Sequence, residues 1–266
     1  MLLLVDAGNT RVKWAIAHEI AGAGTAPGDW IAHGAVLHAD VKRLPALWAA
    51  HLPAHAASAG AGAAPVRAIV ANVAGAAMRA ELDSLLAALA PPLRPEWFVS
   101  QPELGGLRNR YREPAQLGAD RFAAALGARA LAPDKALVVA TCGTATTVDA
   151  VGADGEFLGG MILPGLGMML SALARGTAQL PQVTAHGDRA PAFADNTRDA
   201  ILSGCLSAQA GAIERACAAH GAELCLLSGG AAGHVAPLLS APHWLLDNLV
   251  LVGLHAAAAA PELRTC

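Results

Sequence analysis

Apolar and polar positions along this chain fall into short blocks with two different rhythms. Leu2-Leu3-Leu4-Val5 is a continuous apolar run, Asp6-Ala7-Gly8-Asn9-Thr10 is polar and glycine-bearing, and Val12 to Ala17 is apolar again. That pattern predicts a buried strand, a tight turn and a returning strand. Val41 to His51 predicts a short helix, Val66 to Val73 a strand, and Met78 to Leu89 has helical spacing. Gln116 to Leu131 predicts a helix rich in Ala, Leu and Arg that ends before Pro133. Ala136 to Ala140 reads as a buried strand, Thr141 to Thr144 as a turn and Ala145 to Val151 as a second strand. Asn196 to His220 is one long helical region, apolar on more than one side through Ile201, Leu202, Leu206, Ala210 and Ile213, which suggests a contact with a second subunit. Glu223 to Leu227 is a strand running into Ser228-Gly229-Gly230 and a helical start. Residues 21–29 read as a surface loop, and residues 54–65 as a low-complexity segment expected to be mobile.

Two longer-range features organise these elements. Phe157 to Ala174 carries no charge and is long enough to be tested as a membrane span. Gly159-Gly160, Pro164-Gly165 and Gly167 punctuate it, so it predicts a strand, a loop and a helix instead. Moving the chain by 135 residues lays Leu4-Val5-Asp6-Ala7-Gly8-Asn9 on Val139-Ala140-Thr141-Cys142-Gly143-Thr144. Both stretches read as strand, glycine turn, strand, which suggests an internal duplication with one hairpin per half and a cleft between the halves.

Composition narrows the class. The 266 residues are 55% hydrophobic and 15% charged, enough apolar material for a sizeable core and too little charge for general disorder. The net charge is −3, and only Lys13, Lys42 and Lys135 are lysines. Neither a nucleic-acid surface nor a polybasic membrane patch is expected. Asp6 interrupts the first apolar run and no basic segment precedes it, so no signal peptide is expected. The five cysteines form no C-x-x-C pair, as expected of reduced thiols in a cytoplasmic protein. His51 and His55 are separated by Pro53 and lack an acidic partner, which argues against zinc.

The candidate chemistry lies in the turns. Gly8 permits a tight turn with N–H groups pointing outward to phosphate oxygens, and Asn9 and Thr10 add neutral donors. Asp6, at the end of a buried strand, is placed to hold Mg²⁺ directly or through water, and Lys13 could reach a phosphate. Gly143, Thr144, Ala145 and Thr146 form the second hairpin, and Ser228-Gly229-Gly230 suits close approach to a flat base such as adenine. Each hairpin taken alone is equally an ordinary β-turn. In Gly118-Ala119-Asp120-Arg121, Asp120 could be a general base and Arg121 a carboxylate or phosphate clamp. The same two residues also suit a plain helix start with an acidic first turn.

Together these stretches resemble the type III pantothenate kinases. The resemblance is carried by Asp6-Ala7-Gly8-Asn9-Thr10, Tyr111, Gly118-Ala119-Asp120-Arg121 and Gly143-Thr144-Ala145. Gly159-Gly160 with Pro164-Gly165, and Asn196-Thr197, extend it, so it covers residues 2–255 or so. It implies an α/β fold of two ribonuclease-H-like domains, as in the actin-like ATPases, with mixed sheets flanked by helices and a cleft between them. The domains are expected at 1–117 and 118–266. The implied enzyme is an ATP-dependent pantothenate kinase making 4′-phosphopantothenate, the first step towards coenzyme A, in a cytoplasmic homodimer.

The resemblance also implies roles. Asp6, Ala7, Gly8, Asn9, Thr10, Arg11, Val12 and Lys13 would bind the ATP phosphates, with Asp6 holding Mg²⁺, and Thr144 would contact the nucleotide. Asp120 would accept the proton of the substrate hydroxyl. Tyr111, Gly118, Ala119, Asp120 and Arg121 would bind pantothenate, with Thr197 reaching it from the partner subunit. The chain departs from the family at one point: Thr141 stands where many members carry an aspartate that helps bind K⁺ or NH₄⁺. A neutral hydroxyl there implies weaker cation binding. Two rivals remain from the residues alone: another small-molecule kinase or phosphatase of the same fold, and a non-catalytic regulatory protein.

Overall fold

The computed structural model describes residues 1–19, 26–52, 66–185 and 191–264. The low-complexity segment 54–65, residues 21–25 of the first loop and His55 lie outside them. The chain runs through β1 (Leu2–Ala7), β2 (Arg11–Ala17), β3 (Ala32–Leu37), α1 (Leu44–Ala49), β4 (Arg67–Asn72), α2 (Ala76–Ala87) and β5 (Pro95–Phe98). A short hairpin, β6 (Glu103–Leu104) and β7 (Leu107–Asn109), precedes α3 (Ala119–Leu131). Then come β8 (Leu137–Cys142), β9 (Ala145–Val151), β10 (Glu156–Pro164), α4 (Leu166–Gly176), α5 (Thr197–His220) and β11 (Leu224–Ser228). The last elements are α6 (Ala232–Val235), β12 (His243–Leu245) and α7 (Leu249–Ala258).

These elements form two compact units, Met1–Leu131 with Asn248–Cys266, and Ala132–Asp247. The division differs from the expected one at 117/118. Helix α3 stays with the first unit, and the chain returns there as α7, because these two helices pack closely on each other. Gly127 and Gly253 face each other at the crossing. A Cβ on Gly127 would stand 2.7 Å from the Leu249 carbonyl oxygen, and one on Gly253 would overlap the Ala123 carbonyl. Nearly all of α7 is buried as a result.

In the first unit the strand order is β3-β2-β1-β4-β5. β1 pairs antiparallel with β2 and parallel with β4, and every residue of β1 is buried. A central strand covered on both faces explains why Leu2 to Val5 is continuously apolar rather than alternating. Leu3, Val5 and Ala7 share a core with Trp14, Trp48, Leu82 and Leu86. Leu2, Leu4 and Asp6 therefore point to the opposite face, where α7 packs. His255 in α7 is fully buried there. Its Nε2–H donates to the His18 carbonyl at 2.8 Å and its Nδ1 accepts from the Gly28 N–H at 3.3 Å. Burial holds the imidazole below its ordinary pKa.

The second unit repeats this plan. Its own strands run β12-β11-β8-β9-β10. β8 is parallel to β11 and antiparallel to β9, β11 is parallel to β12, and β9 is antiparallel to β10. Read from β5 to β3, the first sheet has the same sequence of two parallel and two antiparallel pairings. The duplication read from two hairpins therefore extends to five strands per unit. Helix α5 packs through Ile201, Leu202, Cys205, Leu206, Ala210 and Ile213 into this unit's own core. Its apolar residues, expected to need a second subunit, are thus covered within the chain.

Candidate active site

Asp6 is the last but one residue of β1, not part of the turn, and only 7% of its surface is exposed. The antiparallel register sets Lys13 directly opposite it, so both side chains stand on one face of the sheet. Burial pushes the Asp6 carboxyl up to about 6, Lys13 opposes this, and the nearby charge of Asp120 adds to it. Gly8, Asn9 and Thr10 make the turn. The Gly8 N–H donates to the Arg11 carbonyl at 3.1 Å, so it is engaged inside the hairpin rather than pointing outward as expected. His38 Nε2–H donates to the Gly8 carbonyl at 2.8 Å and braces the turn from outside. Asn9, Thr10 and Arg11 are exposed, and Ala7 and Val12 are buried.

Asp120 lies in the first turn of α3, where the helix dipole favours a carboxylate. The Arg121 N–H donates to Asp120 Oδ1 at 2.8 Å. Burial raises the Asp120 pKa, and the backbone bond and charge of Arg121 oppose that rise. A Cβ on Gly118 would stand 2.6 Å from Asp120 Oδ1, so a larger residue there would have to displace the carboxylate from this position. Arg121 is 7% exposed, and its Nη1 donates to the Tyr111 hydroxyl at 2.8 Å. Tyr111 is fixed in turn by Asn109, whose Oδ1 accepts the Tyr111 N–H at 3.0 Å. Asn109 Nδ2 donates to Ser100 Oγ and to the Pro114 carbonyl. The structure thus brings Asp6, Lys13, Tyr111, Gly118, Ala119, Asp120 and Arg121 together in the first unit. Two carboxylates of raised pKa beside a buried arginine form a site that can take a proton and hold an anion.

The second unit assembles a backbone cradle. Gly143 and Thr144 turn the chain between β8 and β9, with the Gly143 N–H on the Ala145 carbonyl at 3.0 Å. The Gly165 N–H donates to the Thr144 carbonyl at 3.1 Å. A Cβ on Gly165 would overlap the Gly143 and Thr144 carbonyls. Gly229 has φ +100°, and a Cβ there would stand 2.5 Å from the Cys142 carbonyl oxygen. Three glycine stretches distant in sequence therefore converge on the β8–β9 turn. Thr141 lies at the same strand end, in register with Ser228 and Thr147. Thr197 opens α5, whose N-cap Asn196 accepts from the Asp199 N–H at 3.0 Å. Asn196 and Thr197 border a groove of about 1080 Å³ lined by Pro164, Met169, Leu173 and Ile201.

Comparison with known proteins decides the family. The model of the type III pantothenate kinases matches residues 2–219. The chain belongs to the type III pantothenate kinase family. A type III pantothenate kinase of Herminiimonas arsenicoxydans is 53% identical over 272 residues, covering all of both chains. Among solved structures, a protein assigned to the Baf family of transcriptional activators, from Campylobacter jejuni, aligns with TM-score 0.55. It is 19% identical and covers 95% of this chain and 94% of its own. A protein assigned as a 2-dehydro-3-deoxygalactonokinase, from Sinorhizobium meliloti, aligns with TM-score 0.54 at 18% identity, covering 97% and 98%. These two likenesses show the fold.

For a type III pantothenate kinase, the residues at Asp6 fit a magnesium ion. Mg²⁺ takes hard oxygen donors, commonly one or two carboxylates completed by water and substrate phosphates. Asp6 is such a donor, and its burial raises its pKa above the ordinary carboxylate value. Among the described residues there is no cluster of three or more His, Cys, Asp or Glu that could hold a metal ion. Several residues of this site have no sequence signal. His38 reaches Gly8 across thirty positions, and Gln209 meets Pro164 across forty-five. Asn109 could have been found, because Asn two residues before a turn position commonly caps its backbone.

Proposed function

We propose that this member of the family transfers the γ-phosphoryl group of ATP to the primary hydroxyl of pantothenate. The observation that carries the reading is Asp120, a half-buried carboxylate of raised pKa beside an arginine locked onto Tyr111. Phosphoryl transfer asks for positioning, charge neutralisation and a carboxylate to orient and deprotonate the nucleophile. Asp120 is the proton acceptor, and its raised pKa makes it a better base than an ordinary aspartate. Arg121, held by Tyr111, binds the substrate carboxylate. Residues 6–13 bind the phosphates and Thr144 contacts the nucleotide. Ser228-Gly229-Gly230 receives the base. Asp6 would hold Mg²⁺, which neutralises charge developing on the phosphoryl oxygens.

The assay is direct. Protein, ATP, Mg²⁺, pantothenate and K⁺ should yield 4′-phosphopantothenate by mass spectrometry, and absence of product with either K⁺ or NH₄⁺ would overturn the reading. Neutral Thr141 at the strand end supports potassium activation of weak affinity. Thr141→Asp should lower the half-activating potassium concentration, and an unchanged value would remove position 141 from the cation site.

A homodimer is the expected assembly, with Thr197 contributing to the partner's substrate site. Its support is now the groove bordered by Thr197, and the exposed Ile162, Met168 and Phe193 of the same unit. Sedimentation should give a dimer at micromolar concentration; a fully active monomer excludes a shared site. No helix among the described residues is long and apolar enough to cross a membrane.

A further inference from the structure

Gln209 is a polar residue that the chemistry above does not use, yet it is fully buried in the middle of α5. Its Nε2 donates to the Pro164 carbonyl at 2.7 Å and lies 3.1 Å from Met169 Sδ. Both partners are acceptors, which fixes the orientation of the amide. Its Oε1 is buried and meets no donor among the described residues. A buried acceptor without a partner costs stability, and a methionine of similar volume would not carry that cost. A side chain chosen only for packing would not be a glutamine.

The bond to Pro164 acts at the point where the chain turns into the nucleotide cradle. Pro164 ends β10, Gly165 follows, and the Gly165 N–H holds the Thr144 carbonyl. Gly165 lies so close to the carbonyls of Gly143 and Thr144 that a shift of this corner must move the β8–β9 turn. The Gly165 carbonyl is held in turn by the Met169 N–H at 3.0 Å, so α4 and α5 grip the corner from two directions. Pro164 and Met169 also line the groove that Asn196 and Thr197 border. Helix α5 thus carries Thr197 at its start and, three turns on, the amide that fixes the corner.

We infer that Gln209 is a positioning residue for ATP: by holding the Pro164 carbonyl it sets where Gly165 places the Gly143-Thr144 turn. The inference rests on the reading of that turn as a nucleotide contact. It acts through the backbone, so the donor matters and the rest of the side chain does not. Displacing a positioning group by a fraction of an ångström to one ångström typically costs tenfold or more.

The experiment compares Gln209→Met, Gln209→Glu and Thr144→Val by steady-state kinetics and thermal melting. Gln209→Met keeps the volume and loses the donor, so its Tm should be at or above wild type while KM for ATP rises about tenfold. KM for pantothenate should stay at the wild-type value. Gln209→Glu keeps the shape, and burial beside two acceptors holds its carboxyl protonated at neutral pH, so its O–H can still donate to Pro164 and KM for ATP should stay near the wild-type value. A lowered Tm with both KM values raised together in Gln209→Met would show a structural role and overturn the inference. If Thr144→Val raises KM for ATP and Gln209→Met does not, the inference is wrong and the role of the turn stands. If neither changes it, the turn does not hold nucleotide and both readings fail.

Discussion

Asp120→Asn should lower kcat by about 10²–10⁴-fold, the usual worth of a positioned general base, with little change in KM for ATP. The amide keeps the shape of the helix start and can still accept the Arg121 N–H, but it cannot take a proton from the substrate hydroxyl. The substitution has a second effect at Asp6. That carboxyl is raised to about 6 by burial, and the charge of Asp120 contributes to the rise. As pH falls through about 6 the free enzyme should lose affinity for Mg²⁺ and ATP, because Asp6 becomes neutral. Removing the charge at 120 should move that loss to lower pH. Wild-type turnover in the variant, or an unmoved acid limb in ATP binding, would place the base elsewhere or separate the two carboxylates.

The second large effect is on stability. Gly253→Ala should destabilise the protein by about 3 kcal/mol or more, at the upper end of overpacking costs, because the new methyl group meets the Ala123 backbone and not a side chain that could rotate away. A fall in Tm of roughly 6–12 °C is expected for a unit of this size. The same substitution at Gly211 should act in the opposite sense. That residue is exposed in α5 with nothing within 4 Å of an added Cβ, so alanine should gain roughly 0.5–1 kcal/mol of helix propensity. Equal melting shifts for the two variants would show that the α3–α7 crossing is looser than described.

Where a signal was local, the sequence carried it. The paired hairpins, the helix at Asp120 and the long helix from Thr197 were all legible, because apolar runs, glycine turns and caps act within a few residues. Strands β3, β5 and β12 were missed because they are short and mostly half-exposed, so neither an apolar run nor strict alternation marks them. Helix α7 was missed for the opposite reason. It is buried all round, so it shows no polar stripe by which a helix is recognised. The candidate site divides in the same way. Asp6 and Asp120 sit in readable motifs, but Asn109, His38 and Gln209 act across the fold, and their partners are chosen by topology. The expectation for α5 failed on the same ground, since its apolar residues meet a sheet of their own unit.

The return of the chain as α7 sets a timetable for biosynthesis. Leu131 leaves the ribosome well before Leu249, and the whole second unit emerges between them. At about 5–20 residues per second, the interval is on the order of ten seconds. The second unit has all its strands by then and can close. The first must wait with the outer face of β1 and the glycine-bearing side of α3 uncovered. The part of the protein translated first is the last to be finished.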